Sequence, residues 1–464
     1  MTTALIFIFI PLLVSVVLYF LQNKTRLVIS VGIALCIVFG LFALFQDFGS
    51  VLKIGPISVE IKTSMSVLGR EFVLTNTDKF FLVFVYFSAA VWFGAAKISG
   101  VSTRFIPLGL AIIAILTSAL AVEPFLYSAI LVEIAVLISI PLMLQPGIKA
   151  GRGIIRFLLY QSLAMPLILF GGWLLGGIQA SPSDTVRLLQ SVLFLGIGFT
   201  IWLAIVPFHS WVPQLTEDIH PFICGFILAI FPIVTMLIML DFISGLVWLR
   251  ESQYLQPVLR LVGTIMVVSA GIWIGIEKKG RRLLGYAVLF EGGFALLAVS
   301  MQSEISVLSL FLSFIPRMVS LVVMGFSLTV LMQHGISLDF EGLSGQLRRY
   351  PFASMGLAIS LVSMAGCPPF GGFPVRLAIL KQLAEVDVAA VVWSLVGMVL
   401  FLITAIRIFM KISMPIFEGW KREESIGQVI LLLIGILFLI LMGLFPNLLV
   451  SRFETLFMNL PILR

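Results

Sequence analysis

LGIGFTIWLAIVPFHSWVPQLTEDIHP, residues 195–221, is the stretch on which the reading of the chain turns. It begins as an apolar helix and meets Pro207, after which His209, Glu217, Asp218 and His220 form a polar patch. Proline removes a backbone donor and its ring clashes with the preceding turn, so the helix breaks or kinks there. Inside a membrane a break survives only where the freed backbone is buried in protein or lines a wet cavity. The alternative is a helix that ends at the interface before a polar loop. Residues 364–381, MAGCPPFGGFPVRLAILK, repeat the pattern: Pro368, Pro369 and Pro374 interrupt an apolar segment, with Arg376 just beyond. Two such segments in corresponding positions of two halves point to a transporter built from repeats, with its pathway at the breaks.

Composition sets the class. The chain has 464 residues, is 60% hydrophobic and carries only 11% charged residues, which excludes a soluble globular protein. Apolar runs of about 20 residues span a bilayer as helices, and here they follow one another closely. The reading is an all-α membrane protein with a single membrane domain over residues 1–464. About fourteen spans are expected, near residues 4–21, 27–45, 80–96, 105–122, 125–144, 154–176, 188–206, from 221 onward, 258–276, 283–301, 307–332, 352–380, 388–410 and 426–444. The polar loop at 46–79 alternates in ISVEIKTSM and REFVLTN, which predicts a short hairpin.

Cys36, Cys224 and Cys367 lie far apart in apolar segments, so a zinc or iron–sulfur site within this chain is not expected. No glycine-rich nucleotide fingerprint follows a strand, and no cofactor or metal is expected here. The first 21 residues lack a basic start and a small-residue cleavage site, and are read as a retained helix. Basic residues concentrate in alternate loops: Lys24 and Arg26; Lys97 and Arg104; Lys149, Arg152 and Arg156; Lys278, Lys279, Arg281 and Arg282; Arg348 and Arg349; Lys411, Lys421 and Arg422. The opposite loops carry Glu123, Asp184 with Arg187, and Glu304. Positive loops stay cytoplasmic, so both termini are expected on the outer side. An energy-transducing membrane is the expected location, either the inner membrane of a prokaryote or that of an organelle.

PFHSWVPQ, from Pro207, resembles the PFHxWLPD signature of the antiporter-like membrane subunits of respiratory complex I, a family shared with multi-subunit cation/proton antiporters and membrane-bound hydrogenases. AGCPPFGGFPVR resembles that family's second break, AGIPPxxGFxGK, and RRLLGYAVLFEGGFALL resembles its KRLLAYSSISHxGF. The resemblance covers roughly Phe72 to Val450. It implies two inverted five-helix repeats, each with a proline-broken helix, at residues 104–246 and 257–411. Helices and a polar loop (1–103) precede them, and a C-terminal helix (412–464) follows. The short C-terminal remainder leaves no room for the long lateral helix of the family's largest complex I member, so the similarity is to the two shorter ones.

Ionisable groups inside spans are costly and are functional candidates by default. Glu133 lies mid-span and matches a glutamate that the family uses in its proton path; the alternative is a neutral, hydrogen-bonded acid fixing helix packing. The lysine that this glutamate faces in the family falls at Trp202 or Thr200, depending on the alignment, and the following helix reads AIFPIV around Pro232. Glu291 stands where the family has a histidine. It can relay protons if burial raises its pKa, or form a salt bridge with a nearby arginine. Arg317 and Arg376 replace lysines, and an arginine effectively never gives up its proton. They can bias carboxylates but not pass protons. His209 either relays protons or caps the broken helix. Asp241 and Lys381 sit near span ends and are read as solvated.

The expected function is that of an antiporter-like, proton-translocating membrane subunit of a complex I-like redox-driven pump with an altered path from Glu133 past His209 to Glu291. Iron–sulfur, flavin or quinone groups would lie in partner subunits, among them sister antiporter-like chains, with lipid around. The rivals are a non-pumping structural subunit of the same complex, and a cation or inorganic-carbon transporter module with a non-redox partner.

Overall fold

The computed structural model describes residues 2–54, 57–144, 149–180, 185–415 and 422–447. It is 79% helical. A π-helical turn at Leu5–Phe9 leads into α1 (Ile10–Phe20) and then α2 (Thr25–Phe45). The polar loop forms two hairpins in place of the one expected. β1 (Val51–Ile54) pairs with β2 (Ile57–Glu60), and β3 (Ser64–Val67) pairs with β4 (Arg70–Val73), which takes β5 (Val122–Glu123) on its other edge. The β3–β4 turn is Leu68–Gly69, both at positive φ (52° and 73°). That is the geometry of a tight two-residue turn matching the twist of its strands. It closes SMSV onto REFV and leaves ISVE to fold back on VLKI.

Helices α3 (Lys79–Ala96), α4 (Phe105–Ala121), α5 (Ser128–Met143), α6 (Arg152–Ala180), α7 (Thr185–Trp202), α8 (Trp211–Asp218), α9 (Pro221–Gly245) and the short α10 (Val247–Arg250) follow. The second half holds α11 (Leu255–Ile276), α12 (Gly280–Met301), α13 (Glu304–Gln333), α14 (Pro351–Ala365), α15 (Gly372–Val386), α16 (Val388–Ile412) and α17 (Ile426–Leu444). An apolar helix stands at every expected span. Among the described residues, ten helices are long and apolar enough to cross a membrane, and four more apolar helices are shorter. α9, α12 and α13 are buried almost throughout and form the interior, whereas α2, α11, α16 and α17 leave most of their surface outward. Their large exposed residues are apolar, mostly leucine, isoleucine, valine and phenylalanine, as a lipid-facing surface requires.

The two halves pack alike. α6 meets α7 and α8 as α13 meets α14 and α15, and α4 meets α9 as α11 meets α16. Between the halves, α9 lies on α13 and α8 on α12.

Both broken helices stop in the same way. α14 ends at Ala365 with Gly366 at φ 76°. The Gly366 N–H donates to the Ser363 carbonyl (3.0 Å) and the Cys367 N–H to that of Val362 (3.2 Å), the paired bonds of a left-handed helix stop. α7 ends at Trp202, and there Ala204, at φ 53°, takes the glycine's place. Its N–H donates to the Ile201 carbonyl (3.2 Å) and that of Ile205 to Thr200 (2.9 Å). The helix therefore stops before Pro207, where the sequence reading put the break. Pro207 bars Val206 from the helical region and its ring would strike the carbonyl four residues back, at Leu203. After the breaks, the chain turns helical again at α8 and at α15.

The far end of α8 is tied to both halves. The Asp218 carboxylate accepts the Gly153 N–H at 2.5 Å, at the start of α6. A Cβ at Gly153 would overlap the Gln214 backbone, so only glycine lets α6 begin this close to α8. Glu217 pairs with Lys279 and with Arg282 (2.5 Å), and its carbonyl accepts from Arg281 (3.1 Å). Partial burial works against ionisation of Glu217, but the Lys279 and Arg282 cations win and hold its carboxyl below the usual range. The bond of Gln333 to the Ile98 carbonyl and that of Gly345 to the Lys411 carbonyl lie at other loops of the predicted basic set.

Two outcomes follow from these contacts. Ala204→Gly relieves an L-residue held in the left-handed region and should stabilise the protein by about 1 kcal/mol, read as a higher midpoint in detergent thermal melts. Glu217→Gln should lose less than about 1 kcal/mol, because the cluster is partly solvated. A folded-state pKa below the unfolded one places the cluster's contribution above the ordinary carboxylate range and removes it as pH falls. The wild-type advantage over Glu217→Gln should therefore vanish in acid melts; an advantage that persists there would refute the ion-pair assignment.

Candidate functional site

Each buried charge at the centre of the protein has a local origin. Pro232 lies inside α9. Having no N–H, it leaves the Leu228 carbonyl, four residues back, without its helical donor. Arg317, from α13, supplies one: its Nη2 donates to the Leu228 oxygen at 3.2 Å. Arg317 is only 4% exposed, and its Nε has no partner. On α15, Arg376 is 3% exposed and forms an ion pair and hydrogen bond through Nη2 to Glu291 Oε1 on α12. Its guanidinium also lies 5.1 and 5.0 Å from the ring centres of Phe290 and Phe294, where the ring faces attract a cation. Gly366 makes room for this side chain, since a Cβ there would overlap Cδ and Nη1 of Arg376. Glu291 also acts electrostatically on Arg317. The ion pair is with Arg376, while Arg317 lines the same cavity as Glu291.

Two small cavities flank Arg317. The first reaches toward the α7–α8 break and is lined by Trp202, Ala204, Trp211 and Pro232 among others. The second reaches toward the α14–α15 break, between Glu291, Ser320, Ser363 and Arg376. Trp202 and Thr200, the two positions considered for the absent lysine, differ here. Trp202 lines the first cavity, whereas the Thr200 hydroxyl bonds back to the Ile197 carbonyl of its own helix (2.7 Å).

The structure thus brings Glu291, Arg317 and Arg376 together and sets Glu133 and His209 apart from them. Glu133, half-buried on α5, accepts the Ser162 hydroxyl of α6 at Oε1 (2.6 Å), and its Oε2 is buried without a partner. His209 lies in the 3-10 turn Phe208–Ser210, with a buried, unpartnered Nδ1. Neither lines the two cavities. Pro207 precedes that turn, and Pro368 and Pro369 lie between α14 and α15. His220 caps α9, its Nδ1 accepting from the Phe222 N–H at 3.3 Å, and Asp241 and Lys381 are exposed. Sequence reasoning missed Ser162, for which no signal existed. It also missed the Leu228 carbonyl, which the position of Pro232 does encode. Glu291 forms a salt bridge with Arg376.

The comparisons agree with this architecture. Residues 178–404 match the family model described as NADH:quinone oxidoreductase/Mrp antiporter, transmembrane. NADH-quinone oxidoreductase subunit N 2 of Acidobacterium capsulatum is 25% identical over 329 residues, covering 65% of this chain and 66% of the relative. NADH-quinone oxidoreductase subunit N of Thioalkalivibrio sulfidiphilus is 26% identical over 333 residues, with the same coverage of 65% and 66%. The chain thus spans just under two thirds of the length of the curated relatives it matches. A chain of the Mrp complex from Dietzia sp. superposes with a TM-score of 0.84 at 18% identity, over 99% of both chains. A chain of respiratory complex I from Thermus thermophilus does so at 0.75 and 17%, over 98% of this chain and all of that one. A chain of the membrane-bound sulfane sulfur reductase, an archaeal respiratory membrane complex, does so at 0.80 and 15%, covering 99% and 97%. Residues 178–404 are thus similar to the transmembrane part of the NADH:quinone oxidoreductase/Mrp antiporter family, and the whole chain has the fold seen in chains of the Mrp complex and of respiratory complex I.

Proposed function

We propose that this chain is a proton-translocating, antiporter-like subunit of a multi-subunit, redox-driven membrane pump, working with an altered proton path. The observation that carries the reading is the buried Glu291, ion-paired with Arg376 beside the second break in a cavity that Arg317 also lines. A charge that moves in a neighbouring subunit can act on such a carboxylate through the low-dielectric interior. Arg317 and Arg376 stay charged throughout, so Glu133 and Glu291 are the groups that take up and release protons, and His209 lies at the first break between the halves. Residues 104–246 and 257–411 serve as the repeats. With five crossings in each, the second runs opposite to the first. The basic loops lie on the cytoplasmic side, with both termini outward. Iron–sulfur, flavin or quinone groups belong to partner subunits, and sister antiporter-like chains flank this one within the lipid.

A second reading, a subunit that keeps the fold and supports the assembly without passing protons, is favoured by one specific observation. Glu291 is engaged by a cation that does not deprotonate, and no lysine faces Glu133 among the described residues. Glu133→Gln and Glu291→Gln in the native complex, reconstituted in vesicles, separate the two. Pumping predicts fewer protons moved per electron pair with assembly intact. Unchanged stoichiometry would leave the supporting role.

The ion pair itself makes a further prediction. Arg376→Leu leaves Glu291 buried and unpaired and should cost about 3–5 kcal/mol, seen as poor recovery of the subunit. Adding Glu291→Leu removes that carboxylate but leaves the buried Arg317 without a counter-charge, so the double variant should recover only part of that loss, whichever functional reading holds.

A further inference from the structure

The cavity between Arg317 and Arg376 is rich in donors and poor in acceptors. Its charged lining consists of Arg317, Arg376 and Glu291, two cations against one carboxylate, for a net charge of +1. Both arginines are nine-tenths buried or more. Three of their N–H-bearing nitrogens, Nε of Arg317 and Nε and Nη1 of Arg376, have no hydrogen-bond partner. Ser320 donates to Ser363 at 3.1 Å, so the Ser363 hydroxyl keeps its own proton free to donate, and both serines line the cavity. The one anionic group in this lining, Glu291, already takes Arg376 Nη2. A buried, unbalanced charge in a low-dielectric interior is strongly unfavourable. A water molecule would satisfy some of these donors but cannot neutralise the charge.

We infer that this cavity is a binding site for one small monovalent inorganic anion of halide type, held by the free guanidinium N–H groups of Arg317 and Arg376 and the Ser363 hydroxyl. The space has room for about one water-sized particle, so a monatomic anion fits with a slight outward movement of the side chains, and a tetrahedral oxyanion does not. Glu291 repels the anion, but Arg376 holds it on the other side of the pair, and two cations outweigh one carboxylate. The bound ion makes the Arg317–Glu291–Arg376 cluster neutral. It does so whether or not the chain passes protons.

The test uses the full chain in its native assembly, with bromide as the probe. Wild-type protein is melted in bromide, chloride and gluconate at constant ionic strength, and its structure in bromide is examined by anomalous scattering. The expected result is an anomalous peak between Arg317 and Arg376, with a melting midpoint that rises saturably with halide by a few degrees over gluconate. Arg317→Met should abolish this response, and Glu217→Gln, remote from the cavity, should keep it. If Arg317→Met does not fold, the wild-type anomalous map decides alone. Absence of a peak at saturating bromide, or equal midpoints in halide and gluconate, would overturn the assignment.

Discussion

A backbone carbonyl without a donor cannot be tolerated in hydrocarbon, where no water can take the donor's place. Pro232 creates such a carbonyl at the buried Leu228, and Arg317 answers it at 3.2 Å. The charge of Arg317 then has to be accommodated as well. Glu291 lies close enough to act on it, and Arg376 pairs with Glu291. One missing amide proton in α9 thereby fixes side chains on α12, α13 and α15. Removing any one of these charges would expose the cost of the others, since a buried charge left without its partner is far more costly than the intact set.

The same accounting governs the ends of the broken helices. Each stops on a left-handed residue that lets two N–H groups turn back onto the last carbonyls. In α14 that residue is Gly366, whose missing side chain also gives Arg376 its place. In α7 it is Ala204, which meets the same demand with strain. α8 is then held at its far end by contacts from α6 and α12. The segment beyond the first break is therefore anchored to both halves of the molecule.

Arginine where the related pattern has lysine changes what the centre can do. A guanidinium can donate to a carbonyl and a carboxylate in fixed directions, and it keeps its charge. The central cluster is consequently well suited to setting an electrostatic bias. Glu133, with one oxygen bonded to Ser162 and the other buried and unpartnered, sits apart from that cluster in the other half.

The sequence by itself determined the helices, both breaks and the identity of the intramembrane charges. These follow from hydropathy over about 20 residues and from local proline chemistry, which act along the chain. The positive-loop pattern and the PFHSWVPQ and AGCPPFGGFPVR motifs are likewise local. The strand pairing of the polar loop went astray because pairing is decided between segments, with the Leu68–Gly69 turn favouring one partner for REFV over another. The stop at Trp202 was missed because Ala204 carries no glycine signal. Only the tertiary structure decided that Arg376, not Arg317, pairs with Glu291, that Arg317 serves a carbonyl from the other half, and that Ser162 faces Glu133. These partners lie 85, 89 and 29 residues apart in sequence. Their meeting depends on how α9, α12, α13 and α15, and separately α5 and α6, pack against one another, and no periodicity within a single helix specifies which side chain waits on the next.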